Sequence, residues 1–125
     1  MINRVTIIGA GNLTSSLLTA IHRNRFSYKI DVIDTNKKKK FSLKKFNVNF
    51  FSSYTDVITK SNLIILMVKP NNYIEVIKEI NPLLSEKMIL VSFMAGIRCA
   101  SIKNELSQDI PVVLSLIHIS EPTRR

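Results

Sequence analysis

Two of the chain's three glycines stand one residue apart in Gly9-Ala10-Gly11, where an apolar run gives way to a helical pattern. A glycine at position 9 admits a tight turn. The missing side chain at Gly11 lets a pyrophosphate approach the main chain and rest on the N–H groups that open a helix. Asp34 follows about twenty residues later, the spacing at which a carboxylate hydrogen-bonds an adenosine ribose. Strand, glycine turn, helix and spaced acid together predict a dinucleotide site. The plainer alternative is a glycine turn followed by an acid that merely caps the next helix. In the fingerprint a third glycine sets how closely helix and strand pack. Thr14 stands there instead, and the expectation is that it pushes the two slightly apart.

The elements that position these groups are readable from periodicity. Residues 5–8, 30–33, 48–51, 63–68, 88–92 and 110–113 form short apolar runs, as strands buried on both faces do. The stretch 63–68, LIILMV, is the most apolar of them. Between the strands, Leu13, Leu17, Leu18 and Ile21 make one helical stripe, and a lysine-rich helix is expected from the cap at Thr35 or Asn36 through Phe46, with Leu43 and Phe46 inward. A short helix holds Val57 and Ile58. Asn72 is placed to cap the following helix, with Glu75 completing a capping box and Tyr73, Ile74, Ile77 and Ile80 facing inward. A last short helix is expected over 101–106. Strands alternating with helices imply right-handed crossovers and an α/β doubly wound parallel sheet.

The totals narrow the function classes. With 125 residues, 46% of them hydrophobic and 22% charged, the chain has the profile of a folded domain rather than a disordered one. No apolar stretch is long enough to span a bilayer and no secretory signal opens the chain, so no membrane partner and a cytoplasmic location are expected. Cys99, His22 and His118 have no partners at ligand spacing, which leaves neither a disulfide nor a metal cage. The net charge of +9 raises nucleic acid as a partner, since half of the eighteen lysines and arginines lie between Arg23 and Lys45. Lysine, asparagine and isoleucine are abundant together, as AT-biased coding produces without selection for binding. A solvated helix face is the simpler reading, and no nucleic-acid partner is expected.

With IGAGN at 8–12, MVKPN at 67–71 and FMAGI at 93–97, each just after an expected strand, the chain resembles the N-terminal half of pyrroline-5-carboxylate reductase over residues 2–113. Val68-Lys69-Pro70 is the most specific of these segments. The resemblance implies a Rossmann-like fold and hydride transfer from NADPH, or alternatively NADH, to the cyclic imine 1-pyrroline-5-carboxylate, yielding proline. It implies that Ile8, Gly9, Ala10, Gly11, Asn12 and Leu13 hold the pyrophosphate. Met67, Val68, Lys69 and Pro70 would line the ribose and nicotinamide side, and Ala95 and Gly96 would border the nicotinamide. The stretch Asp34-Thr35-Asn36-Lys37 replaces an arginine-containing segment that takes the 2′-phosphate in many such enzymes. Asp34 suits a 2′-hydroxyl, whereas Lys37, Lys38 and the start of the helix would attract a phosphate. Tyr54 stands where an asparagine commonly contacts the cofactor.

Similar proteins continue past residue 113 with a helical domain that supplies substrate contacts and the interface of a homo-oligomer. This chain instead reads LSLIHISEPTRR, which resembles the translated read-through of a sequencing-library adaptor. Residues 1–113 are therefore taken as the nucleotide-binding domain and 114–125 as an artefactual tail. The helical second domain is then missing, no catalytic residue is assigned, and the chain alone is expected to bind cofactor without turnover. The alternatives are a hydroxyacid dehydrogenase or an F420-dependent NADP reductase, against which Val-Lys-Pro argues, and a non-enzymatic basic nucleotide- or nucleic-acid-binding module.

Overall fold

The structure is a computed structural model, and it describes residues 4–23, 29–94 and 96–114. β1 (Arg4–Ile8), β2 (Lys29–Ile33), β3 (Asn49–Phe51), β4 (Leu63–Leu66), β5 (Ile89–Ser92) and β6 (Val112–Leu114) form one sheet in the order β3-β2-β1-β4-β5-β6. Every pairing is parallel. The expected doubly wound α/β sheet is thus present, and the order reverses between β1 and β4, where ligands of open parallel sheets bind.

Alternation along each strand sends side chains to two cores. Val5, Ile7, Ile30, Val32 and Ile65 pack with Leu18 of α1 (Asn12–Arg23) and with Leu43. On the opposite face, Ile8, Ile33, Ile64 and Leu66 meet Val57 and Ile58 of α2 (Thr55–Thr59), Ile77 and Ile80 of α3 (Tyr73–Ile80) and Ile102 of α4 (Cys99–Asn104). Each fully buried isoleucine contributes about 1.5–3 kcal/mol of transfer free energy, so the sheet is clamped from both sides. Among buried polar groups, Asp31 accepts from Arg4 Nε at 3.2 Å and from Asn49 Nδ2 at 3.1 Å. The Thr6 and Ser61 hydroxyls pair with each other.

Several local expectations are corrected. The lysine-rich segment is a 3-10 helix, Lys37–Leu43, rather than an α-helix reaching Phe46. Four adjacent like charges with no acidic neighbour gain no i,i+4 support, and Leu43 is the one core residue the segment contributes. Phe41 is 69% exposed, with the Lys44 ammonium 5.2 Å from its ring centroid. The capping box does not form. Asn72 lies in a 3-10 turn, Pro70–Asn72, that runs straight into α3, and its φ of −109° and ψ of −1° are not the extended values a side-chain cap needs. Ile74 points outward at 42% exposure. α4 begins at Cys99, earlier than expected, and β6 begins at Val112. Its last residue, Leu114, pairs with Ser92, so the sheet takes in one residue that sequence reasoning assigned to the tail; residues 115–125 lie outside the described residues.

Candidate dinucleotide-binding site

The carboxyl ends of β1, β2, β3 and β4 are joined by main-chain bonds that continue the ladders past the strands. Gly9 N donates to Ile33 O at 2.8 Å, Met67 N to Ile8 O at 2.8 Å and Asp34 N to Phe51 O at 3.1 Å. Gly9 has φ +109°, and a Cβ built on it would lie 2.6 Å from the Met67 carbonyl oxygen. Only glycine lets the turn after β1 pass this close to the end of β4. At Gly11 an added Cβ would meet no atom within 4 Å. The space beside it belongs to a cleft, as a diphosphate seat requires.

That cleft has a volume of about 570 Å3, within the range of roughly 300–1,000 Å3 typical of small-molecule sites. It gathers Ile8, Gly9, Ala10 and Gly11 from the first turn, Asp34, Thr35 and Asn36 from the end of β2, and Met67, Val68 and Lys69 from the end of β4. The first turn of α1 opens beside Gly11, with Ser15 N bonded to Gly11 O at 3.2 Å. The earliest amides of a helix have no intrahelical acceptor, so they and the helix dipole favour an anion. Asn12 and Leu13 begin α1; Leu13 is 37% exposed and does not line the cleft. Gly96, at φ +80°, does not line it either. Pro70 opens the turn before α3, and Ala95 lies outside the described residues.

Both carboxylate oxygens of Asp34 are engaged by main-chain donors. Its Oδ2 accepts from the Ala10 amide at 2.9 Å and its Oδ1 from the Asn36 amide at 2.8 Å. The Asn36 side chain in turn accepts from Lys38 N at 3.1 Å, which satisfies the start of the 3-10 helix internally. Of the lysines in this segment, Lys39 lines the cleft, while the Lys38 amide is engaged by the Asn36 side chain. The expectation for Thr14 is corrected. It is fully buried, and its hydroxyl donates to Gly9 O at 2.5 Å and contacts Met67 Sδ at 3.2 Å. It ties helix to turn instead of prising them apart, because its hydroxyl finds an acceptor where a methyl alone would find none.

Sequence reasoning missed Asn72 and Val76, which supply the wall opposite the glycine turn. Their four-residue spacing, from the turn before α3 into the helix, was the available signal. Tyr54, expected to lose a cofactor contact, also lines the cleft. Burial, then the charges of Glu79 and Asp34, raise its phenol above the ordinary value of 10.0, so it is a neutral hydrogen-bonding group at physiological pH.

Residues 4–96 match the family described as NADP oxidoreductase, coenzyme F420-dependent. The chain belongs to this family. Among individual members and relatives, it is 29% identical over 112 residues to the pyrroline-5-carboxylate reductase of Pseudomonas aeruginosa, covering 88% of this chain and 41% of that protein. It is 30% identical over 93 residues to the pyrroline-5-carboxylate reductase of Pisum sativum, covering 73% and 34%. A pyrroline-5-carboxylate reductase structure from Coxiella burnetii superposes with a TM-score of 0.83 at 23% identity, over 91% of this chain and 43% of that one. The Plasmodium falciparum pyrroline carboxylate reductase with NADP bound gives 0.75 at 22% identity, over 90% and 41%. The chain thus spans about two fifths of the length of the reductases it matches. The family description names F420-dependent enzymes, given above as an alternative, while these relatives are named pyrroline-5-carboxylate reductases. No helix among the described residues is long and apolar enough to cross a membrane.

Proposed function

We propose that residues up to 113 form the dinucleotide-binding part of a pyrroline-5-carboxylate reductase. The reaction moves a hydride from the reduced nicotinamide to the imine carbon of 1-pyrroline-5-carboxylate while a proton reaches its nitrogen, giving proline and the oxidised cofactor. The single observation that carries this reading is the convergence of the glycine turn, the Asp34 loop and Met67-Val68-Lys69 on one cleft. Those three segments come from three strand ends far apart in sequence. The main chain from Ile8 to Gly11 seats the diphosphate, the β4 end orients the nicotinamide half, and the β2 end receives the adenosine half. When bound, the cofactor supplies the hydride; binding and exclusion of water from the cleft are the work of this chain.

The cofactor is NADPH in this reading. Lys39 on the cleft wall and the Thr35 hydroxyl beside it offer a cation and a donor to the 2′-phosphate. Each Asp34 oxygen already has one lone pair engaged by a main-chain amide. The same carboxylate favours a second reading, NADH, because it remains an anion at the wall. Calorimetric titration of the chain with NADPH and NADH, before and after Lys39→Ala, separates them. The first reading requires the substitution to weaken NADPH about tenfold and NADH little. An equal response of both nucleotides sinks the NADPH reading, and no binding of either sinks the dinucleotide site.

A further inference from the structure

Apart from Lys39, the lysine-rich segment after β2 has no part in the cofactor cleft. No aspartate or glutamate lies between Thr35 and Thr55, and Lys37, Lys38, Lys40, Lys44 and Lys45 are all exposed. Like charges crowded on one short stretch repel, a standing cost that a polyanion would relieve. Aromatic rings stand among these cations. Phe41 is exposed, with the Lys44 ammonium over its ring, and the half-buried Phe46 has the Lys45 ammonium 5.4 Å from its centroid. A 3-10 helix turns once in three residues, which puts Lys38, Phe41 and Lys44 on one outward ridge. Beside Phe46 a separate hollow of about 180 Å3 opens between the end of α1 and the start of β3. The buried Leu18 and Ile30 line it together with the exposed His22 and Asn47, and it shares no residue with the cofactor cleft.

We propose that this strip is a docking surface for single-stranded nucleic acid, with phosphates on the lysines, one base stacked on Phe41 and a neighbouring base in the hollow beside Phe46. An unpaired strand offers what the strip lacks, backbone charge alternating with flat faces. Lysine meets a phosphate as a compact point charge, and stacking on a ring tolerates any base. The His22 and Asn47 side chains can each donate and accept, which suits the exposed edge of an unpaired base. Shape decides against the other extended polyanions. A duplex keeps the faces that Phe41 would stack on inside its own stack, and an anionic membrane has no use for a recess with polar groups at its mouth. Leu43, buried in the core with Leu18, pins the segment, so the ridge is a fixed platform. The solvated α-helical face expected from the sequence is not what forms. Because the strip lies outside the cofactor cleft, the inference stands independently of the dinucleotide reading.

The test is fluorescence anisotropy of short labelled single-stranded RNA and DNA of one mixed sequence, titrated with the full chain over a range of KCl concentrations. Both bind, and log affinity falls against log salt with a slope of about −3, as neutralisation of four phosphates in a single strand requires. Lys44→Gln combined with Lys45→Gln lowers affinity about tenfold and makes the slope shallower by about 1.4. Lys60→Gln combined with Lys78→Gln removes the same charge from α2 and α3 on the opposite face of the sheet, and changes affinity less than about twofold. Phe41→Ala and Phe41→Leu each weaken binding about tenfold and keep the slope, because neither replacement stacks. Thermal midpoints measured alongside show that each variant is folded. No binding by the wild-type chain, equal losses from the two lysine pairs, or wild-type affinity in Phe41→Ala overturns the inference. So does binding to phosphatidylserine vesicles without binding to either oligonucleotide, which marks a membrane-facing surface instead.

Discussion

The two glycines of the first turn have different jobs, and one pair of substitutions separates them. In Gly9→Ala the new Cβ would sit 2.6 Å from the Met67 carbonyl oxygen with the backbone held at φ +109°. Holding an alanine there costs about 1–3 kcal/mol. Relieving the contact means displacing Met67, whose amide is bonded to Ile8 O at 2.8 Å, which adds a further ~1–3 kcal/mol of overpacking. A loss of about 3 kcal/mol in a domain of this size lowers the thermal midpoint by roughly 15 °C. Gly11→Ala meets nothing within 4 Å, so the fold keeps its midpoint. Its methyl occupies the approach to the diphosphate seat, and NADP+ affinity falls about tenfold or more. Differential scanning calorimetry and titration of both variants decide the matter. An unchanged midpoint in Gly9→Ala refutes the close approach to β4, and wild-type affinity in Gly11→Ala refutes the anion seat.

Two further outcomes follow from the hydroxyls of Tyr54 and Thr14. Because the Tyr54 phenol is raised above 10.0 in the folded chain, the unfolded chain loses its proton first. The stabilisation is intact below pH 10 and is lost as pH rises through the folded value, so the urea midpoint should fall above pH 10, less steeply in Tyr54→Phe. Thr14→Val, of nearly equal volume, removes the donor to Gly9 O and should cost about 1 kcal/mol in urea denaturation. Thr14→Gly should cost more, since glycine lowers helix stability by a further ~1 kcal/mol, whereas a threonine that only spaced helix from strand would leave Thr14→Gly the more stable.

What could be read from the sequence and what could not divides along physical lines. The runs that became β1, β2 and β4 were legible because residues buried on both faces are apolar regardless of their neighbours. Gly9, Gly11 and Asp34 were legible because backbone geometry and phosphate chemistry restrict residue type at fixed spacing. The helical form of 37–43 was not, since an α-helix and a 3-10 helix share the same inward leucine and differ only in how much core lies beneath. Nor was the role of Thr14, whose hydroxyl is a wedge or a tie depending on whether Gly9 O and Met67 Sδ lie within reach. Asn72 and Val76 escaped because a wall is a property of where α3 docks, and the docking is decided by the buried Ile77 and Ile80.

The bond from the Ala10 amide to Asp34 makes the turn after β1 and the loop after β2 mechanically one body. A protein engineer wishing to reverse the cofactor choice could not exchange Asp34 as though it were an independent dial. Any replacement lacking an acceptor at that distance would slacken the proposed diphosphate seat as well, and would need a second substitution to brace it.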